Sequence, residues 1–228
     1  MSYLRKELES AVVLSPETPP DAAVIWLHGL GADGYDFVPI VPELHLPPSC
    51  APRFVFPHAP VRAVTINNGM RMRAWYDILG LGPGTQEDVA SIRASGEIVN
   101  DLIGRERASG IAPERIVIAG FSQGGAIALH SALRYGERLA GILALSTYLP
   151  LREHLGEVSA ANGRIPILMC HGRYDPIVPV ELAERSRDLL QARGYAVQWK
   201  DYGMQHQVCA EEIADIAEWL EQVLSAQD

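Results

Sequence analysis

Cysteine is scarce in this sequence. Cys50, Cys170 and Cys209 are its only three, too few and too scattered for a disulfide framework or a zinc site, which need paired spacings. Reduced, buried thiols are the expectation. Long apolar runs are missing as well: no stretch approaches the roughly 20 residues that a bilayer-crossing helix needs. The start, MSYLRKELES, carries charges where a signal peptide has its apolar stretch. The expectation is a cytoplasmic protein that is not an integral membrane protein. Positive charge is also short, with 19 Lys and Arg against 28 Asp and Glu and a net charge of −9. No basic cluster exceeds Arg71-Met72-Arg73, which argues against nucleic acid as a partner, since phosphate binding needs a basic surface. Arg71 and Arg73 read as solvated loop residues, with an anionic substrate as the weaker alternative. No Walker A lysine, HExxH or EF-hand pattern occurs, so no metal and no cofactor are expected.

What the 228 residues do contain is a globular composition, 48% hydrophobic and 21% charged. Short β-rich runs alternate with helical stretches. The runs are Ala23 to Leu27, Arg53 to Phe56, Ile116 to Ala119, Gly141 to Leu145, Ile165 to Cys170 and Ala196 to Lys200. They are almost continuously apolar, as strands covered on both faces are. Helical character falls on Glu87 to Arg107, Gly124 to Tyr135, Pro179 to Arg193 and Ala210 to Leu224. This is an α/β pattern, a mostly parallel sheet with helices on both faces. With no linker or repeat, one domain over residues 1–228 is expected. Val61 to Asp88, with Gly80, Gly82 and Gly84 around Trp75-Tyr76-Asp77, reads as a long ordered loop, a kind that is usually functional.

The run Ile116 to Ala119 enters Gly120-Phe121-Ser122-Gln123-Gly124-Gly125 and then a helix. This is GxSxG in strand-turn-helix context, a tight turn in which side chains two residues either side of the serine would collide with the backbone. It holds Ser122 clear of the sheet at a helix N-terminus, where N–H groups favour developing negative charge. The bland alternative is a Gly-rich packing turn with Ser122 as an N-cap. A serine nucleophile needs an imidazole base and a carboxylate to orient it, in the chain order Ser, acid, His on such a fold. After Ser122, His130 lies on the same helix, His154 in a polar connection, and His171 at a strand end ahead of the remaining acids. His206 follows the last strand and is the choice. Asp175, in the stiff turn His171-Gly-Arg-Tyr-Asp175-Pro-Ile-Val-Pro179, is the acid, with Asp201 as runner-up.

The first run ends in His28-Gly29-Leu30-Gly31-Ala32-Asp33-Gly34, a literal GxGxxG. Pro39 and Pro42 interrupt the segment after the glycines, and the second run ends without a carboxylate, so a dinucleotide site fails on context. A loop that lends a backbone N–H to an oxyanion hole fits better. Leu30 and Gln123 N–H are the expected donors, worth roughly 3 kcal/mol each to a tetrahedral intermediate. Leu30, Trp75, Leu79, Leu81 and Met204 are candidates to line an acyl groove, with loop packing as the alternative.

The segments LHGLGADG, FPHAP, RIVIAGFSQGGAIAL, CHGRYDPIVP and YGMQH, spread over nearly the whole chain, resemble the phospholipase/carboxylesterase family of α/β hydrolases. The resemblance implies an α/β-hydrolase fold without a large cap domain and a catalytic Ser122, Asp175 and His206, with Leu30 and Gln123 as the oxyanion hole. It also implies an acyl site bordered by the loop around Trp75, a small acyl ester or lipid-like substrate, and often a homodimer. A serine carboxylesterase is the leading expectation. An acyl-protein thioesterase or lysophospholipase is the alternative within the class, and a non-catalytic hydrolase-fold binding protein the alternative outside it. Tyr76, where many members have Phe, and Gln207, where members acting on acyl proteins often have Ser, leave the acyl preference open.

Overall fold

A computed structural model describes residues 2–80 and 86–225 of the chain. Eight strands form one sheet: β1 (Tyr3–Glu7), β2 (Ala11–Pro16), β3 (Ala23–Leu27), β4 (Arg53–Pro57), β7 (Ile116–Phe121), β8 (Gly141–Leu145), β9 (Ile167–Gly172) and β10 (Val197–Tyr202). Their order across it is β1-β2-β4-β3-β7-β8-β9-β10. From β4 to β10 every pairing is parallel; β1 and β2 extend one edge antiparallel. Strand β3 shows why the interior runs look apolar throughout. Ala23, Ile25 and Leu27 face one core layer beneath α2 (Val89–Ala108) and α3 (Gln123–Arg134), to which α4 (Val180–Ala192) adds Leu190. Val24 and Trp26 face the other layer, beneath α5 (Ala210–Leu224). Both faces being covered, no alternation survives. Each large apolar side chain so buried contributes roughly 1.5–3 kcal/mol.

Chain order sets where a site can form. The chain leaves β3 toward β4 on one side, then returns to β7 on the other, so the loops after β3 and β7 diverge at a crevice over the carboxyl ends of the strands. The loop holding Leu30 and the turn holding Ser122 leave from these two strands, which are in register at Leu27 and Gly120.

Two expectations need correction. Val61 to Asp88 is not loop throughout: β5 (Val61–Val64) and β6 (Met70–Arg73) form an antiparallel hairpin. Its Arg, Met and Asn residues hide a strand whose side chains stay largely exposed. The strand expected from Ile165 starts at Ile167, because Pro166 has no N–H to donate to a ladder. The connection between β8 and β9 carries two short 3-10 turns, Arg152–Glu157 and Ala160–Asn162, pinned to the core by Leu149, Leu151 and Leu155. It builds no cap domain. Among the described residues no helix is long and apolar enough to cross a membrane. Cys50 and Cys170 are buried free thiols, and Cys209 is only half-buried.

One buried charge site stands out. Glu212, in the first turn of α5, is fully buried with neither carboxyl oxygen hydrogen-bonded. Burial, opposed by the nearby Cys209 N–H and reinforced by Asp215, pushes its pKa up to about 8. An unfolded glutamate titrates near 4.5, so between these values the folded chain holds the extra proton. Stability therefore falls as pH rises through this window, by about 1.4 kcal/mol per pH unit at most, and the penalty is complete above it. Glu212→Gln should flatten that limb and raise the Tm at pH 8 by roughly 10 °C. Thermal scans from pH 5 to 9 check this, and an unchanged slope would contradict it.

Candidate active site

Ser122 sits between β7 and α3 with φ 53° and ψ −120°, a conformation that costs a non-glycine residue of order 1–3 kcal/mol. Contacts around it hold the strain. Its N–H donates to Leu145 O at 2.8 Å, and Thr147 Oγ1 donates to its carbonyl at 2.6 Å. The flanking glycines are needed for space: a Cβ on Gly120 would lie 2.3 Å from the Gly124 carbonyl, and one on Gly124 would lie 2.3 Å from Leu27 O. Although Ser122 occupies the N-cap position of α3, its side chain makes no capping bond. The hydroxyl is left free.

His206, in the loop after β10, packs its ring 4.7 Å from that of Phe121, the neighbour of Ser122. Its Nδ1 lies 2.6 Å from Asp175 Oδ2. A carboxylate only accepts, so Nδ1 carries a proton and donates it to this contact, leaving Nε2 as the ring nitrogen outside it. Asp175 is held in turn: Oδ1 accepts the Ile177 and Val178 N–H groups at 2.8 and 2.9 Å, and its side chain is wholly buried. His171 Nε2 donates to Val178 O at 2.8 Å and stands 3.5 Å from Asp175 Oδ2, bracing the same turn. Asp201 points elsewhere, paired with Arg173. No hydrogen bond joins Ser122 Oγ to His206 in this structure. Such bonds are often long before substrate binds and tighten in the complex.

The structure thus brings Asp175 and His206 into contact, with the His206 ring against Phe121 one residue before Ser122, and places His130, His154 and His28 apart from them. His130 is buried on α3, and His154 pairs with Glu157 on the surface. His28 is buried too. Ala59 N–H donates to its Nε2 at 3.0 Å, which places its proton on Nδ1, toward Gly29 O at 2.7 Å. Burial lowers its pKa to about 4, so it stays neutral as a strut of the loop.

Leu30 N–H and Gln123 N–H have no acceptor among the described residues. No helix issues from the glycines of the GxGxxG match; turns come next, up to the four-residue α1 (Ile40–Glu43).

The expected groove lining changes. Trp75 is 0% exposed and Met204 6%, so neither side chain offers a surface to a substrate. Trp75 instead donates its indole N–H to His28 O at 2.9 Å. Leu79 is exposed and Leu30 half-buried, whereas Leu81 lies outside the described residues. Arg73 spans to Ala59 O at 2.9 Å, while Arg71 is exposed. Sequence reasoning missed the side chain of Gln123: its Oε1 accepts Trp75 N–H at 2.8 Å and its Nε2 donates to Tyr76 O at 2.7 Å. Its place directly after the nucleophile was the available signal. A hydroxyl pair was missed as well, Tyr76 with Tyr148 at 2.9 Å. Nothing in the local pattern announces it.

A family model described as Phospholipase/Carboxylesterase matches residues 8–224. An acyl-protein thioesterase 1 from Gibberella zeae is 39% identical over 213 residues, covering 89% of this chain and 91% of that one. One from Neurospora crassa is 41% identical over 209 residues, covering 87% and 85%. The crystal structure of Zea mays acyl-protein thioesterase 2 superimposes with a TM-score of 0.84 at 31% identity, covering 94% of this chain and 98% of that one.

Proposed function

The chain belongs to the phospholipase/carboxylesterase family of α/β hydrolases, and from that premise we propose that it is a serine hydrolase that cleaves acyl thioesters, with Ser122, His206 and Asp175 as its catalytic residues. The observation that carries the mechanism is the 2.6 Å contact of His206 Nδ1 with the buried Asp175 carboxylate, next to the strained Ser122. Ser122 Oγ attacks the acyl carbonyl carbon while His206 Nε2 takes its proton. Charge builds on the carbonyl oxygen, where Leu30 and Gln123 N–H groups receive it. The tetrahedral intermediate collapses, and His206 returns the proton to the departing sulfur. Water, deprotonated by His206, then attacks the acyl-serine, and as the second tetrahedral intermediate expels Ser122 Oγ, His206 returns that proton to it and the acid leaves.

The thioester reading is supported by the names of the two fungal relatives and the maize structure. It displaces a simple carboxylesterase as the first choice, with esters and lysophospholipids as the alternatives. The chemistry suits it: an alkyl thiolate leaves more readily than an alkoxide, and all three reactions share the oxyanion hole.

The test pairs a fluorophosphonate probe with matched substrates, an acyl thioester and an oxygen ester of the same chain length, from acetyl to palmitoyl. Labelling of wild type but not of Ser122→Ala is expected, with the larger kcat/KM for the thioester. A larger kcat/KM for the oxygen ester would return the assignment to carboxylesterase. An unlabelled, inert wild type would leave a binding protein with a hydrolase fold.

A further inference from the structure

Leu30 and Gln123 meet at the site from distant parts of the chain, and the sheet fixes their approach only as far as the Leu27–Gly120 pair. Beyond that, Gln123 is set by the start of α3, but Leu30 stands in a loop without regular structure. Trp75 touches both sides. Its backbone N–H is held by Gln123 Oε1 at 2.8 Å, and its indole N–H holds His28 O at 2.9 Å, two residues before Leu30. The same segment adds a third tie, Gly31 N–H to Arg73 O at 2.9 Å. Ser95 of α2 donates to Trp75 O, and Gln123 Nε2 to Tyr76 O. Trp75 has no exposed surface and every polar group it carries is used. Such a residue is placed to bridge rather than to bind.

We infer that Trp75 and the side chain of Gln123 are positioning residues that set the separation of the two oxyanion donors, making the segment after the β5–β6 hairpin part of the oxyanion hole. This rests on the serine-hydrolase reading above. The physical stake is geometric. Donors serve a developing oxyanion only within about 2.7–3.1 Å of it, and a 1 Å misplacement can cost about a hundredfold in rate. A wall of the acyl site would act differently, through substrate affinity shared by ground and transition states.

Two variants separate these roles. Trp75→Phe keeps a ring in the core but removes the donor to His28 O. Gln123→Met keeps the length and the backbone N–H but removes both amide contacts. Each is expected to lower kcat on an acyl thioester about tenfold with KM within twofold of wild type, and to weaken butylboronic acid, a tetrahedral analogue, about as much as kcat falls. The double variant should lose little more than the worse single one, because both break one link. Should Trp75→Phe fail to fold, Gln123→Met carries the test alone. Three results overturn the inference: folded variants with kcat and boronate affinity within twofold of wild type, a rise in KM at unchanged kcat, or lowered Tm with unaltered kinetics at 25 °C. Failure of the serine-hydrolase reading looks different, because wild type itself would then neither turn over thioester nor take a fluorophosphonate.

Discussion

Ser122→Ala is expected to lower kcat on an acyl thioester by about a million-fold and leave the fold intact. The size follows from the chemistry. On the proposed mechanism the variant keeps the Leu30 and Gln123 N–H groups and the His206–Asp175 pair, but offers no atom to form the acyl bond, and His206 is left to activate water where an alcohol stood. The Ser122 side chain makes no capping hydrogen bond, so its removal breaks no structural contact of the helix. Alanine keeps the left-handed backbone strain, hence the Tm should move by only a few degrees. Burst kinetics and intact mass after incubation with substrate give the check: wild type should carry a transient acyl adduct and the variant none. Turnover within tenfold of wild type in the variant would remove Ser122 from the mechanism.

The second large effect is expected from Asp175→Asn, a loss of roughly ten-thousand-fold in kcat with nearly unchanged KM. Asparagine fits the same space and its oxygen can still accept from Ile177 and Val178, so the turn is preserved. The amide that then faces His206 donates where the carboxylate accepted. The imidazole responds by shifting its proton to Nε2, the nitrogen that must be free to take the proton of Ser122. Asp201→Asn, on a carboxylate engaged with Arg173 and Trp199 at the edge of the sheet, should stay within twofold of wild type. Steady-state assays of the two side by side distinguish them, and the reverse ranking would transfer the orienting role to Asp201.

The interior strands are readable from sequence because burial on both faces leaves an unbroken apolar run, as in Ile116 to Ala119. β1 escapes for the opposite reason: Leu4, Arg5, Lys6 and Glu7 lie exposed on the sheet edge, where only pairing with β2 makes them a strand. The hairpin of β5 and β6 escapes likewise, since Met70-Arg71-Met72-Arg73 packs too little to show a period. At the candidate site, the GxSxG turn between strand and helix is legible as a local motif, and the Asp175 and His206 chosen from chain order do lie in contact. Trp75 misleads because aromatics among glycines look like a binding wall. Its true surroundings, His28 and Gln123, lie about fifty residues away on either side along the chain, beyond the reach of any local pattern. Asp175 is separable from Asp201 on loop stiffness, and its wholly buried side chain gives that preference a physical basis.

The connection between β8 and β9, pinned to the core, also bears on the turn that carries Ser122. Thr147, near its start, holds the Ser122 carbonyl, while Leu149, Leu151 and Leu155 root it in the core, so the strained turn leans on a segment that is itself anchored.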